Sequence, residues 1–168
     1  FSAVCAPSTG DMYFRIAEEP SMAIRISRGK ANPEIRSIPF FDVSDDTPIL
    51  VNMHPSVRAR TYLDRLLDLW EAGEVSLVKS LSGSPSLLMV EAAKTGTFYL
   101  NAWSDGPTQP FDLLPALHII RGAYPCVAVQ SDGNEIDPWS HKGLYLVGPK
   151  GSRLELLLER LSQLDQAT

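Results

Sequence analysis

The sequence predicts an α/β fold, with helices layered around a mixed, largely parallel sheet, on three observations. Short β-prone runs alternate along the chain with longer stretches whose leucines recur at helical spacing. Gly73 and Gly96 stand where a helix would be released into a following strand. Residues 27–47 shift in composition to Gly, Pro, Asp and Ser, with Pro33, Pro39 and Pro48 excluding a long helix, which makes that segment the best linker candidate. With 168 residues, 44% hydrophobic and 21% charged, the chain is long enough to bury a sizeable core.

Taken in order, residues 1–7 read as a strand, Ser8 to Asp11 as a turn cluster and residues 12–17 as a second strand, so a hairpin is the economical reading. Residues 22–26 alternate with a period of two, the mark of a half-buried strand. The apolar run 49–53 leads through His54-Pro55-Ser56 into a helix reaching Trp70, with Ser56 a fair N-cap. A strand is predicted at 75–78. Gly83-Ser84-Pro85 then opens a helix to Lys94, and 97–100 is strand-like. A third helix is expected over 112–121, strands over 126–130 and 143–147, and a final amphipathic helix over 152–164.

Charge and composition exclude several classes of function. A net charge of −5 with 15 scattered Lys and Arg argues against a nucleic-acid polymer as partner. No apolar run approaches the roughly 18 residues of a membrane span. Cys5 and Cys126 lie far apart without a secretory pattern, which reads as reduced thiols in a soluble, cytoplasmic protein. Phe1 in place of Met reads as a cut point within a longer protein. None of His54, His118 and His141 has a partner at zinc-ligand spacing, and no nucleophile elbow or phosphate-binding glycine loop occurs. His118 reads as a satisfied core or helix-face residue, while His54 at a strand end is better placed to reach a ligand, although capping or solvent exposure is the commoner role of such a residue.

The candidate site residues cluster at predicted helix starts. Asp112, between the Gly106-Pro107 and Pro110 loop and an apolar helix, reads as an N-cap or as a metal ligand, with Pro115 tolerated in the first turn. Gly83 and Ser84 open a helix where backbone N–H groups could face an anion, or where serine caps. Asp105 lies on the same loop as Asp112, where the two carboxylates share a polar ligand or are solvated.

The order of these pieces resembles the C-terminal half of the inositol monophosphatase family of magnesium-dependent phosphatases. The residues that carry the likeness are VCAPSTGDMYFRIA (4–17), Gly83-Ser84-Pro85-Ser86 against a G-S-A-A helix start, and Phe111-Asp112 against a W-D helix start. Gly122-Ala123-Tyr124, followed by Ser131-Asp132-Gly133, answers an A-G-G turn and its D-x-x-G. GPTQPFD (106–112) is also similar to the form seen in the 3′(2′),5′-bisphosphate nucleotidase branch.

The resemblance implies that Asp112 ligates Mg²⁺ and that Gly83, Ser84 and Asp105 line the substrate pocket. It implies a water nucleophile and no catalytic side chain in this chain. The substrate would be a small inositol, sugar or nucleotide phosphate. Residues 1–47 would be a strand pair and linker from a sheet whose other strands are missing, and residues 48–168 the C-terminal α/β phosphatase-like domain. The implied partners are the phosphorylated substrate, the missing N-terminal half and a second copy in a homodimer. The family's upstream glutamate and D-P-[IL]-D-G-T motif have no counterpart, the lone Asp137-Pro138 lying at the wrong end. The chain alone is therefore expected to be inactive, and a catalytically degenerate binding or interaction module is the competing reading.

Overall fold

The computed structural model describes residues 1–26, 32–40, 49–52, 57–76, 78–81, 83–102, 109–130, 132–150 and 154–162. Two sheets are built. The first is antiparallel and in chain order: β1 (Ser2–Ala6), β2 (Asp11–Arg15), β3 (Met22–Arg25) and β4 (Glu34–Ser37). The first hairpin turns at Gly10, whose φ of 72° suits glycine, and a Cβ there would meet the Ile26 carbonyl at 2.5 Å. Because β4 lies inside the segment read as linker, the expected strand pair is in fact a four-stranded sheet. Composition misled there because β4 is short and exposed, so it lacks the apolar alternation that marks a buried strand.

The second sheet has the order β6-β5-β7-β9-β8, formed by β5 (Ile49–Asn52), β6 (Val78–Leu81), β7 (Phe98–Asn101), β8 (Cys126–Val129) and β9 (Tyr145–Pro149). Strands β6, β5 and β7 are parallel, while β9 runs antiparallel to both β7 and β8. The strand expected at 75–78 begins only at Val78, and Val75 is buried in the preceding turn.

Helices α1 (Val57–Glu71), α2 (Pro85–Lys94), α3 (Pro110–Ile120) and α4 (Leu154–Ser162) complete the fold. Helices α2 and α3 pack against each other between the two sheets, touching β1 on one side and β5, β7 and β8 on the other. Helices α1 and α4 cover the far face of the second sheet. The alternation of side chains along the strands explains the two cores. Leu50, Tyr99, Tyr145 and Val147 face α2 and α3, whereas Ile49, Val51, Phe98, Leu100 and Leu146 face α1 and α4. A sheet apolar on both faces has to be covered on both, and the second sheet is.

Polar struts fasten the first sheet to the helices. The Tyr13 hydroxyl donates to Glu91 Oε1 at 2.6 Å and accepts from Lys94 Nζ at 2.7 Å, both on α2. Arg15 donates to the His118 carbonyl and Ser21 to the Ile119 carbonyl, both on α3. The His118 ring bridges Ser2 Oγ and the Ala17 carbonyl at 2.9 Å each, so it is a helix-face residue with both nitrogens engaged.

Candidate functional site

The parallel strands β5 and β7 end at Asn52 and Asn101, and β9 begins opposite Asn101 at Tyr145. In open α/β sheets this carboxyl end is where ligands are bound. Four of the polar groups there are fully or almost fully buried: Asn52, Tyr99, Asn101 and Tyr145. Asn52 Nδ2 donates to the Tyr99 hydroxyl at 3.0 Å, and that hydroxyl reaches Asn101 Oδ1 at 3.4 Å. The Tyr99 and Tyr145 rings lie 6.3 Å apart. Burial pushes both phenols above the ordinary tyrosine range, and the negative charge of Asp112 adds to this at each. Asp112, in the first turn of α3, is therefore within electrostatic reach of this cluster.

Asp112 is not the N-cap. Helix α3 starts two residues earlier, at Pro110, and Gln109 occupies the cap position without a side-chain bond. The reason lies in Pro110, whose fixed φ suits the first helical position. Pro115 consequently sits inside the helix rather than in its first turn. Lacking an N–H, it leaves the Phe111 carbonyl without a helical donor, and the Ser86 hydroxyl of α2 takes up both that carbonyl, at 3.4 Å, and the Asp112 carbonyl. The first turns of α2 and α3 are thereby held side by side. Gly83 and Ser84 are exposed just ahead of α2, with Ser84 in its N-cap position and making no side-chain cap bond.

The Asp112 carboxylate is half-buried and has no hydrogen bond or ion pair among the described residues. Burial raises its pKa above the ordinary aspartate value. A helix N-terminus favours the charged form, so the desolvation outweighs the dipole. Asp105 and His54 lie outside the described residues. His141 is buried against the edge of Tyr145, 5.8 Å between rings, with Nδ1 3.2 Å from Gln130 Oε1. Desolvation lowers its pKa, which keeps the imidazole neutral. Asp137 and Asp132 are turn-formers, accepting from Trp139 N and Ser140 Oγ, and from Asn134 N and Gln130 Nε2.

For a Mg²⁺ ion the described residues at this end of the sheet offer one anionic oxygen donor, Asp112. No group of three His, Cys, Asp or Glu among them could hold a metal. Magnesium is commonly held by one or two carboxylates with water and substrate phosphate, so the donor set fits as a partial one.

No protein-family model matches the sequence, and no curated protein matches it. Solved structures do. The Thermotoga maritima IMPase superposes with a TM-score of 0.58 at 10% identity, over 94% of this chain and 57% of that one. This is part of the inositol monophosphatase fold. The inositol monophosphatase from Anabaena gives a TM-score of 0.55 at 18% identity, over 84% of this chain and 54% of that one. An inositol monophosphate-bound SaIMPase-II gives 0.56 at 14%, over 94% and 59%. The chain thus spans little more than half the length of the inositol monophosphatases it matches.

Sequence reasoning missed Asn52, Tyr99, Asn101 and Tyr145. A signal for two of them was present: ILVN and FYLN are apolar runs that each end in asparagine, and a polar residue at the carboxyl end of a buried strand is where a site is built.

Proposed function

We propose that this chain is the C-terminal part of a Mg²⁺-dependent phosphomonoester hydrolase of the inositol monophosphatase family, acting in the cytoplasm on a small inositol, sugar or nucleotide phosphate. The observation that carries the reading is Asp112: a desolvated carboxylate without a partner among the described residues, in the first turn of α3, beside the start of α2 and within electrostatic reach of Tyr99 and Tyr145. SaIMPase-II, of similar fold, holds inositol monophosphate.

In this reading Asp112 is a metal ligand, and Gly83, Ser84 and Asp105 contact the substrate. Residues 1–47 belong to the upstream sheet and 48–168 form the C-terminal domain. Bound Mg²⁺ would neutralise phosphate charge and supply a nucleophile drawn from water. Asn52 and Asn101 fix the Tyr99 phenol.

A second reading, a catalytically degenerate binding module, is favoured by one observation: among the described residues, the buried polar groups of the cluster near Asp112 are neutral amides and phenols, not further carboxylates. The test is phosphatase activity of the complete gene product with Mg²⁺ on inositol phosphates, sugar phosphates and 3′-phosphoadenosine 5′-phosphate. Turnover that disappears in Asp112→Asn supports the hydrolase. Absence of turnover on the whole panel supports the module. The 168 residues alone are expected to show none.

A further inference from the structure

The lone aspartate of α3 has apolar neighbours at the surface. Phe111 stands one residue before Asp112 and Leu114 two residues after it, so the two are three apart and share a face of the helix start. Phe111 is 70% exposed and Leu114 38%. An exposed helix face ordinarily carries polar residues. Here Asp112 is the only polar side chain over residues 110–115. The backbone beneath is fixed, because Ser86 of α2 holds the carbonyls of both Phe111 and Asp112. The buried polar groups at this end of the sheet, Asn52, Tyr99, Asn101 and Tyr145, are neutral amides and phenols.

Taking Asp112 as the metal ligand of a phosphate site, the reading proposed for this chain, we infer that the alcohol half of the phosphomonoester carries a flat apolar ring that lies against Phe111 and Leu114. Size decides between occupants. The exposed parts of the two side chains amount to on the order of 200 Å², whereas a separate protein needs about 800 Å² on its side of a stable interface. One ring fills the smaller area. Chemistry decides between small molecules. A polyol laid on this surface would give up water from hydroxyls that Phe and Leu cannot bond, at a net loss. A ring gives up apolar surface only and packs offset or edge-on against Phe111. Both side chains lie within one helical turn of the carboxylate, a rise of about 5.4 Å, which a one-ring phosphomonoester spans.

Two matched pairs test this in the complete gene product with Mg²⁺: adenosine 3′-phosphate against methyl riboside 3-phosphate, and 2-phenylethyl phosphate against ethyl phosphate. The members of each pair share the ester that breaks and differ in the ring. The ring-bearing member is expected to have the higher kcat/KM by about 10-fold. That preference should fall about 5-fold in Phe111→Ala and in Leu114→Ala, through KM rather than kcat. A ratio taken on one sample does not depend on how much of it is folded. Leu156→Ala, at an exposed leucine of α4 on the far side of the sheet, should leave the ratio unchanged. Preference in one pair alone names the ring, a purine or a benzene. Equal kcat/KM within both pairs overturns the inference and leaves the hydrolase reading standing. So does a preference that survives both substitutions, and a lowered Tm in Phe111→Ala with that preference intact would show the ring covered by another part of the polypeptide. Where nothing is turned over, the same compounds are read as ligands by their shift of Tm. Larger shifts from the ring-bearing members, reduced in Phe111→Ala, keep the inference and remove the hydrolase; equal or absent shifts remove both.

Discussion

Asp11 and Asp112 are both carboxylates withdrawn from water, and they are opposites. Asp11, on the helix-facing side of β2, takes a bidentate pair of bonds from Arg25 at 2.8 Å each, with Arg36 at 3.6 Å. The Arg25 bond, aided by Thr9 and the charges of both arginines, outweighs desolvation and holds its pKa down at about 2. Asp112 has no such partner among the described residues, and burial raises its pKa. One carboxylate has its charge answered from within the sheet. The other has no partner among the described residues, which is why the cation site is proposed at Asp112 and not at the less exposed Asp11.

The largest expected effect that tests this contrast is Asp11→Ala. Removing a buried acceptor of charged hydrogen bonds costs about 1–3 kcal/mol, toward the lower end because Arg25 is partly exposed. Thermal denaturation should show a Tm lower by about 3–8 °C. A change under about 1 °C would mean that Asp11 is as idle structurally as Asp112.

Next is the pH dependence. Asp11 titrates at about 2 in the folded chain against 3.8 ordinarily, so the unfolded chain binds its proton more readily. Its stabilisation is in full force above about pH 4 and is lost as the pH falls to about 2. At most this amounts to about 2 kcal/mol. Asp112 runs the other way. Its folded pKa is raised, so ionisation costs stability above that pKa, and the cost is relieved as the pH falls through it toward 3.8. Urea melts from pH 7 to pH 3 should therefore show a shallower acid slope in Asp11→Asn and a steeper one in Asp112→Asn.

Smaller still is the effect of Asp112→Asn on stability at neutral pH, within about 1 kcal/mol. Its signature is elsewhere: in the complete gene product, millimolar Mg²⁺ should raise the Tm of the wild type and leave the variant unmoved. An equal Mg²⁺ response in both would detach the metal from Asp112. Of similar size is the effect of Ser86→Ala, about 1 kcal/mol, which unties α2 from the Phe111 and Asp112 carbonyls.

Much of this was legible in the residues. The helix–strand alternation, the opening hairpin and the α/β class follow from periodicity and turn chemistry, and each reappears as β1 to β3, α2 and α3. The resemblance of short motifs to inositol monophosphatases is matched by the superposition. What sequence could not deliver was pairing across the chain. Asn52 and Tyr99 are 47 residues apart and meet only because β5 and β7 are neighbours in the sheet. The start of α3 was misplaced because Asp is the commoner cap and Gln109 offers no cap at all. The strand in 34–37 went unread because neither of its faces is strongly apolar along the segment itself.

The strand order of the second sheet sets a timetable. Strand β9 lies between β7 and β8, although it is made after both. While the chain is being synthesised, β8 has no neighbour to join, and the sheet ends at β7 until residues 145–149 have left the ribosome and folded back between them. Tyr145 arrives on that same strand. The Tyr145 side of the buried polar cluster is therefore set in place after the Asn52, Tyr99 and Asn101 side, and a nascent chain stalled before β9 would carry Asp112 without Tyr145.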